Sequence, residues 1–330
     1  LQTIDDCIVI GIKADVLAGQ RTLTNLDDLT ASLQLPTSVH QCASVIAAEQ
    51  RCVVLIDQLD TLSLTLNTDD QSLRIIVDLM QRLRQIPNTK IIASCRDFER
   101  NSDPVLAAIR VDRTFTLGDL QTEDINVVLK GIDQPPSEQL PISLQRLLHT
   151  PLYLDIFSKI ILSSRESGVE QISSLHDLYT RLWKLRIELP YDGVPPSSDR
   201  RQAIYHLVTV MIERRKLTVP EVLLEDYVDA RNYLESVGFI RIEQNTISFV
   251  HQTLFSYCYA RKFVADARSL SDSIFASPQG FFERQLMIEV LQYLRPSDVD
   301  GYHFELDRLL FPPAGQQFRF HLQLLLLKWL

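Results

Sequence analysis

The sequence predicts a chain that begins as a parallel α/β sheet and then turns helical, broken once by a short hairpin. Three observations carry this prediction. Over residues 1–118 short, nearly continuous apolar runs alternate with helical patterns. Two proline-rich joints, DQPPSEQLP (133–141) and LPYDGVPPSSDR (189–200), divide the helical remainder. Two short β-branched runs, FIRI (239–242) and TISFV (246–250), flank a tight polar turn at Glu243–Asn245.

The apolar runs are CIVIGI (7–12), CVVLI (52–56), KIIASC (90–95) and RTFTL (113–117). They lack the alternation of a half-solvated strand, which predicts burial on both faces of a parallel sheet. Between the second and third, Leu73, Ile76, Val77, Met80 and Leu83 recur at helical spacing and form one apolar face. From Gly118 to about Pro190 the pattern is helical, opened by Thr122 with Glu123 and Asp124 in the first turn. Next come a helix over about 201–215 and then VPEVLLEDYVDARNYLESVG, with Pro220 early and Gly238 as a stop. Helix, helix and hairpin in that order predict a winged helix. Residues 263–330 read as helices without a repeat period, compatible with stacked pairs. The expected units are therefore 1–118, 119–195, 196–262 and 263–330.

The composition of the 330 residues is that of an ordinary globular protein, with 45% apolar and 23% charged residues. A net charge of −9 argues against a protein that wraps nucleic acid. The five cysteines are scattered, with no CxxC pair, and read as reduced small hydrophobes of a cytoplasmic protein. No run reaches the roughly 18 to 20 apolar residues of a membrane span, so no membrane partner is expected. The chain starts at Leu1 without a signal pattern and stops within the apolar run HLQLLLLKWL. The expectation is a fragment of a longer chain.

Two segments carry residues suited to chemistry. In RCVVLIDQLDTL (51–62) an apolar strand ends in Asp57, with a second acid at Asp60. A carboxylate at the carboxyl end of a central strand can hold the water shell of a nucleotide-bound Mg²⁺. A buried strand also often ends in Asp simply because a turn begins there. In TKIIASCRDFE (89–99) the next strand ends in Ser94, Cys95 and Arg96. Parallel strands end at one edge, where ligands of open α/β sheets bind, so Arg96 is placed to reach a γ-phosphate. The plainer alternative is a solvated arginine after a strand.

The two segments resemble the Walker B and sensor 1 elements of STAND-class P-loop NTPases, the NACHT and NB-ARC ATPases. The likeness continues in LGDLQTEDINVVLK (117–130), which resembles the family's entry into its helical domain. LLHTPLYLDIF (147–157) is similar to the segment that holds a proline near the adenine, here Pro151. FVHQTLFSYCYARKF (249–263) resembles the segment that closes the family's winged helix, with His251 at the position of the histidine that contacts the β-phosphate of ADP. Each has a plainer reading: Pro151 as a first-turn proline capped by Thr150, and His251 as a helix-cap or core histidine. The resemblance spans about residues 7–263, and the order of its motifs makes it specific. It implies an α/β P-loop NTPase core with an incomplete N-terminal part, followed by an all-α helical domain, a winged helix and C-terminal helices. It also implies ATP or ADP with Mg²⁺ as ligands: Asp57 for the metal through water, Asp60 for the attacking water, Arg96 for the γ-phosphate. The family's mode of action is a signalling switch, closed with ADP and released by a protein or ligand trigger to self-associate. Bacterial relatives serve antiviral defence or transcriptional control.

The sequence departs from the family at two places. No G-x-x-x-x-G-K-[ST] occurs, and the nearest lookalike, LAGQRTL (17–23), lacks the second glycine and the lysine. Family order puts that loop before the strand at 7–12, so it is expected upstream of Leu1. The second departure is DQLDT (57–61), where Thr61 replaces the acid usually credited with polarising water, which implies slow hydrolysis. Two other functions compete. A directly DNA-binding regulator is disfavoured because residues 221–235 carry Glu221, Glu225, Asp226, Asp229 and Glu235 against Arg231 alone. A degenerate core kept as an interaction scaffold is the other.

Overall fold

The computed structural model describes residues 2–4, 7–14, 17, 24–64, 71–97, 100, 103–163, 172–190, 193–214, 216–243, 245–277 and 279–330. Strands β1 (Gln2–Ile4), β2 (Cys7–Lys13), β3 (Arg51–Asp57) and β4 (Thr89–Ala93) form one sheet in that order. β2, β3 and β4 are mutually parallel, and β1 pairs antiparallel to β2 at the outer edge. Helices α1 (Leu26–Ser32) and α2 (Val39–Glu49) connect β2 to β3, and α3 (Thr61–Leu64) and α4 (Gln71–Leu83) connect β3 to β4. Local chemistry sets their starts. Asn25 caps α1 by accepting the amides of Asp27 and Asp28, and Ser38 caps α2 through Gln41. The α4 stripe of Leu73, Ile76, Leu79, Met80 and Leu83 is buried, close to the spacing read from the sequence, with Leu79 in the place expected of Val77.

Burial on both faces is not what the described residues show. β3 alternates: Cys52, Val54 and Ile56 are buried under α2 and α4, whereas Leu55 is 37% and its register partner Ile92 58% exposed. The cause is topological. Strands added one after another in the same direction through right-handed crossovers put every connecting helix on one face.

RTFTL (113–117), expected as a fourth core strand, is not a strand. It carries no regular secondary structure, and Phe115 and Leu117 are 84% and 97% exposed. A strand exists only through a neighbour's hydrogen bonds, and among the described residues none lies beside it. α5 (Pro104–Ala107), with Asp103 as its cap, precedes this stretch. The lookalike at 17–23 falls outside the described residues except for Leu17.

Next come α6 (Thr122–Gly131), α7 (Ile142–Leu148), α8 (Pro151–Ser163) and α9 (Leu175–Trp183), which runs into a π-helical turn at Lys184–Glu188. Buried Arg200 stabilises that turn by donating to the carbonyls of Arg186 (2.6 Å) and Leu189 (2.9 Å) while lying over the Tyr233 ring. Arg200 belongs to α10 (Ser197–Arg214), followed by β5 (Thr218–Pro220), a 3₁₀ stretch at Glu221–Tyr227, α11 (Val228–Ser236), β6 (Ile240–Glu243) and β7 (Thr246–Phe249). The strands form an antiparallel sheet in the order β5-β7-β6. The helix read over 221–235 is thus a 3₁₀ stretch followed by α11, and the 3₁₀ stretch is itself kinked at buried Leu224 (φ −111°, ψ 23°).

α12 (Gln252–Ala265) then leads to α13 (Leu270–Phe275), α14 (Phe281–Ser297), α15 (Val299–Leu310) and α16 (Phe320–Trp329). One apolar core runs without a break from Ile125 to Cys258, and a second joins Ala260 and Phe263 to the C-terminal helices. α12 feeds both, its two ends lying in different cores.

Candidate functional site

The carboxyl ends of β2, β3 and β4 share one edge, as parallel strands must, and Lys13, Asp57 and Ser94 stand on it. Pairing continues beyond the last strand residues: Ser94 N–H donates to Ile56 O and Leu59 N–H to Ser94 O, both at 2.9 Å. This pulls the β3 turn against the β4 exit. Ser94 Oγ accepts from Gln58 N–H at 2.7 Å and donates to Asp57 Oδ1 at 2.5 Å, so one hydroxyl orients the carboxylate and the turn together. Gln58 has φ 54°, in the left-handed region that glycine adopts most readily. Thr61 closes the turn by donating its N–H (2.9 Å) and hydroxyl (2.7 Å) to Gln58 O.

Asp60 is 2% exposed. Arg96 N–H donates to its Oδ1 at 3.4 Å, and Arg96 Nε lies 3.5 Å from Oδ2, an ion pair too long to be a hydrogen bond. Arg96 Nη2 donates at 2.6 Å to Gln252 Oε1 at the start of α12. The strand ends and the segment after β7 thus meet, 156 residues apart in sequence. A second contact, Lys13 Nζ to Glu243 Oε2 at 3.0 Å, joins the strand ends to the end of β6.

His251 is the N-cap of α12, in the extended conformation caps adopt (φ −147°, ψ 143°). Its Nδ1 accepts from Thr253 N–H at 3.2 Å and meets Thr253 Oγ1 at 2.8 Å. Because Nδ1 accepts a backbone N–H, the ring proton of the neutral form sits on Nε2. The Thr253 hydroxyl also bonds buried Tyr179 OH of α9. Burial, with the nearby positive charge of Arg96 adding to it, lowers the His251 pKa, so the ring is neutral at pH 7. The capping role expected of a plain histidine therefore leaves Nε2–H available as a donor.

The structure brings Asp57, Asp60, Arg96 and His251 into one polar neighbourhood. Pro151 is not bonded into it: it opens α8 as an exposed first residue, and no hydrogen bond or ion pair among the described residues ties that helix start to the strand ends. His149 and Leu120 bond there instead, Leu120 N–H to His149 O at 2.7 Å and His149 Nδ1 with Leu120 O at 2.6 Å. Gln252, Thr253 and Tyr179 were invisible to sequence reading, since nothing local marks a contact made through the tertiary fold. Ser94 had a signal, a hydroxyl next to the strand end two residues before Arg96.

Among the described residues no three His, Cys, Asp or Glu gather as a metal site. Asp57 fits a Mg²⁺ that arrives with phosphate and keeps most of its water, which needs only one or two carboxylates; Asp60, buried against Arg96, faces the arginine instead. Hollows of about 310 Å³ and 390 Å³ lie elsewhere and are lined by none of these residues.

No family model and no curated protein matches the chain. Among solved structures it is similar to a Walker-type ATPase of Pyrococcus abyssi, at 14% identity over 76% of this chain and 83% of that one, with a TM-score of 0.33. It is also similar to Cdc6p from Pyrobaculum aerophilum, at 12% identity over 80% and 81%, with a TM-score of 0.24. Superposition that loose carries no argument about this chain.

Proposed function

We propose that the chain is the nucleotide-responsive part of a STAND-type signalling switch, with a P-loop NTPase core over 1–118, a helical domain over 119–195, a winged helix over 196–262 and helices beyond. The observation that carries this reading is the meeting of Asp57, Asp60 and Arg96 at the carboxyl edge of parallel strands with His251 across from them. An acid for a hydrated metal, a cation for a terminal phosphate and a neutral Nε2–H donor on a second unit form the set that a phosphate-operated hinge requires. The order of α10, β5, α11, β6 and β7 supports the winged helix. Its exposed helix has one arginine, Arg231, already paired with Glu221 at 2.8 Å, which speaks against reading DNA phosphates directly. Thr61 is buried within the turn, consistent with exchange rather than fast hydrolysis as the timing step. Bound Mg²⁺ would screen phosphate charge, with Asp57 holding its water shell. Release of the units would then expose surfaces for self-association, in a pathway such as bacterial antiviral defence.

The test uses calorimetry on residues 1–330 and on a chain extended at its N-terminus to include a phosphate loop. The extended chain binds ADP, and residues 1–330 do not; micromolar binding by the shorter chain overturns the placement of that loop. In the extended chain Asp57→Ala removes Mg²⁺-dependent effects, and Arg96→Ala spares ADP while weakening ATP. Equal losses for both nucleotides count against Arg96 as a γ-phosphate reader, and no nucleotide binding at all favours the scaffold.

A further inference from the structure

The two contacts that cross from the sheet edge to the 240–252 segment suggest more than proximity. Arg96 is shared: its backbone and Nε face buried Asp60, and Nη2 bonds Gln252. Lys13, at the end of β2, reaches Glu243 at the end of β6. The pairs leave from the carboxyl ends of β2 and β4, on either side of β3, and so hold the segment at two separated points over the edge where Asp57 ends.

We infer that Arg96–Gln252 is a clasp that keeps the two units closed without any ligand, and that a phosphate-class anion opens it by taking the Arg96 guanidinium from Gln252. A neutral amide oxygen is a weaker partner for guanidinium than a phosphate, which offers charge and bidentate geometry. Asp60 cannot follow the exchange. It is fixed by burial and keeps the arginine stem at the strand end while the outer nitrogen changes partner. Arg96 therefore does two things with one side chain, holding the closed arrangement through Gln252 and reporting the anion by leaving it. Lys13–Glu243 and the approach of α3 to α14 are parts of the closure that an anion at Arg96 does not touch; both groups of the ion pair are half exposed, so added salt weakens it first. The inference rests on the proposed switch for the identity of the competing anion only.

Hydrogen exchange on residues 1–330 tests it, read at peptides covering 246–256 and 89–97, with circular dichroism to verify folding. Gln252→Ala raises exchange about three- to fivefold, the size expected of a half-exposed bond to a charged group, and Arg96→Ala raises it at least as much. Arg96→Ala also strands buried Asp60, so it is the faster of the two, and the double variant exceeds it by less than the effect of Gln252→Ala alone, because the shared bond is already gone. Gln252→Glu slows exchange, since it makes the clasp an ion pair and places an acid in the first turn of α12. Millimolar inorganic pyrophosphate speeds exchange in the parent chain and not in Arg96→Ala. Additive single variants, faster exchange in Gln252→Glu, or a pyrophosphate response that is absent or survives loss of Arg96 overturns the inference. None of these readings needs nucleotide affinity, so an extended chain that fails to bind ADP sinks the switch and leaves the clasp standing.

Discussion

His251 has two separable jobs in this structure, and replacing it by alanine and by serine tells them apart. Its Nδ1 caps α12 through Thr253, and its Nε2–H is the donor assigned to ADP. Alanine removes both. Serine restores the cap, because its short hydroxyl reaches the same amide from the same extended backbone, but cannot donate where Nε2 does. Losing the cap costs about 1 kcal/mol in the nucleotide-free chain, so His251→Ala is less stable than His251→Ser by that amount. Both variants lose similar ring packing, which cancels in the comparison. Losing the donor removes one hydrogen bond to a charged group, about 1.5–3 kcal/mol, or a 10- to 150-fold weaker ADP affinity in the N-terminally extended protein. Urea unfolding of residues 1–330 measures the first quantity, and calorimetric titration of the extended protein the second. The expected pattern is unequal stability with equally weakened ADP binding. Serine restoring ADP affinity along with stability would refute the reasoning, leaving His251 a capping residue only.

Three further outcomes follow from particular residues. Gln58→Gly stabilises by about 0.5–1 kcal/mol in urea unfolding, since a non-glycine residue at φ 54° carries left-handed strain that glycine lacks; destabilisation would mean the Gln58 side chain contributes to the turn. Glu289 in α14 is pushed up to about 7 by burial, so the folded chain holds its proton between about 4.5 and 7 and loses stability as pH rises through that window. Glu289→Gln should therefore gain on the order of 1–3 kcal/mol at pH 8 in thermal melts, fading as pH falls toward 4.5, and a gain independent of pH would contradict this. Arg200→Met leaves the carbonyls of Arg186 and Leu189 without their donor inside the core and costs about 3 kcal/mol; a loss below about 1 kcal/mol would show that the π-turn is held by packing alone.

Patterns with a local cause were legible in the sequence. The runs read at 7–12, 52–56 and 90–95 are strands at 7–13, 51–57 and 89–93, and the stripe from Leu73 to Leu83 is the buried face of α4. The hairpin followed its polar turn, with Asn245 at φ 61° as such turns need. Asp57 and Arg96 fell at strand ends because an apolar run must stop where the chain reaches water, and a parallel sheet brings such stops to one edge; Asp60 follows in the turn, buried against Arg96. What depends on distant neighbours was not legible. The run 113–117 has the composition of a strand and no strand to pair with. The core strands have apolar residues on both sides, yet crossover handedness puts the connecting helices on one face, leaving Leu55 and Ile92 exposed. Residue types alone could suggest His251 as cap or donor; only the fold showed that Nδ1 is spent on Thr253 while Arg96, from a strand 156 residues before Gln252, lies close enough to depress its pKa. Periodicity records what each residue must avoid, water or apolar surroundings, and is silent about which partner it meets, because that is settled by how strands and helices from far parts of the chain pack.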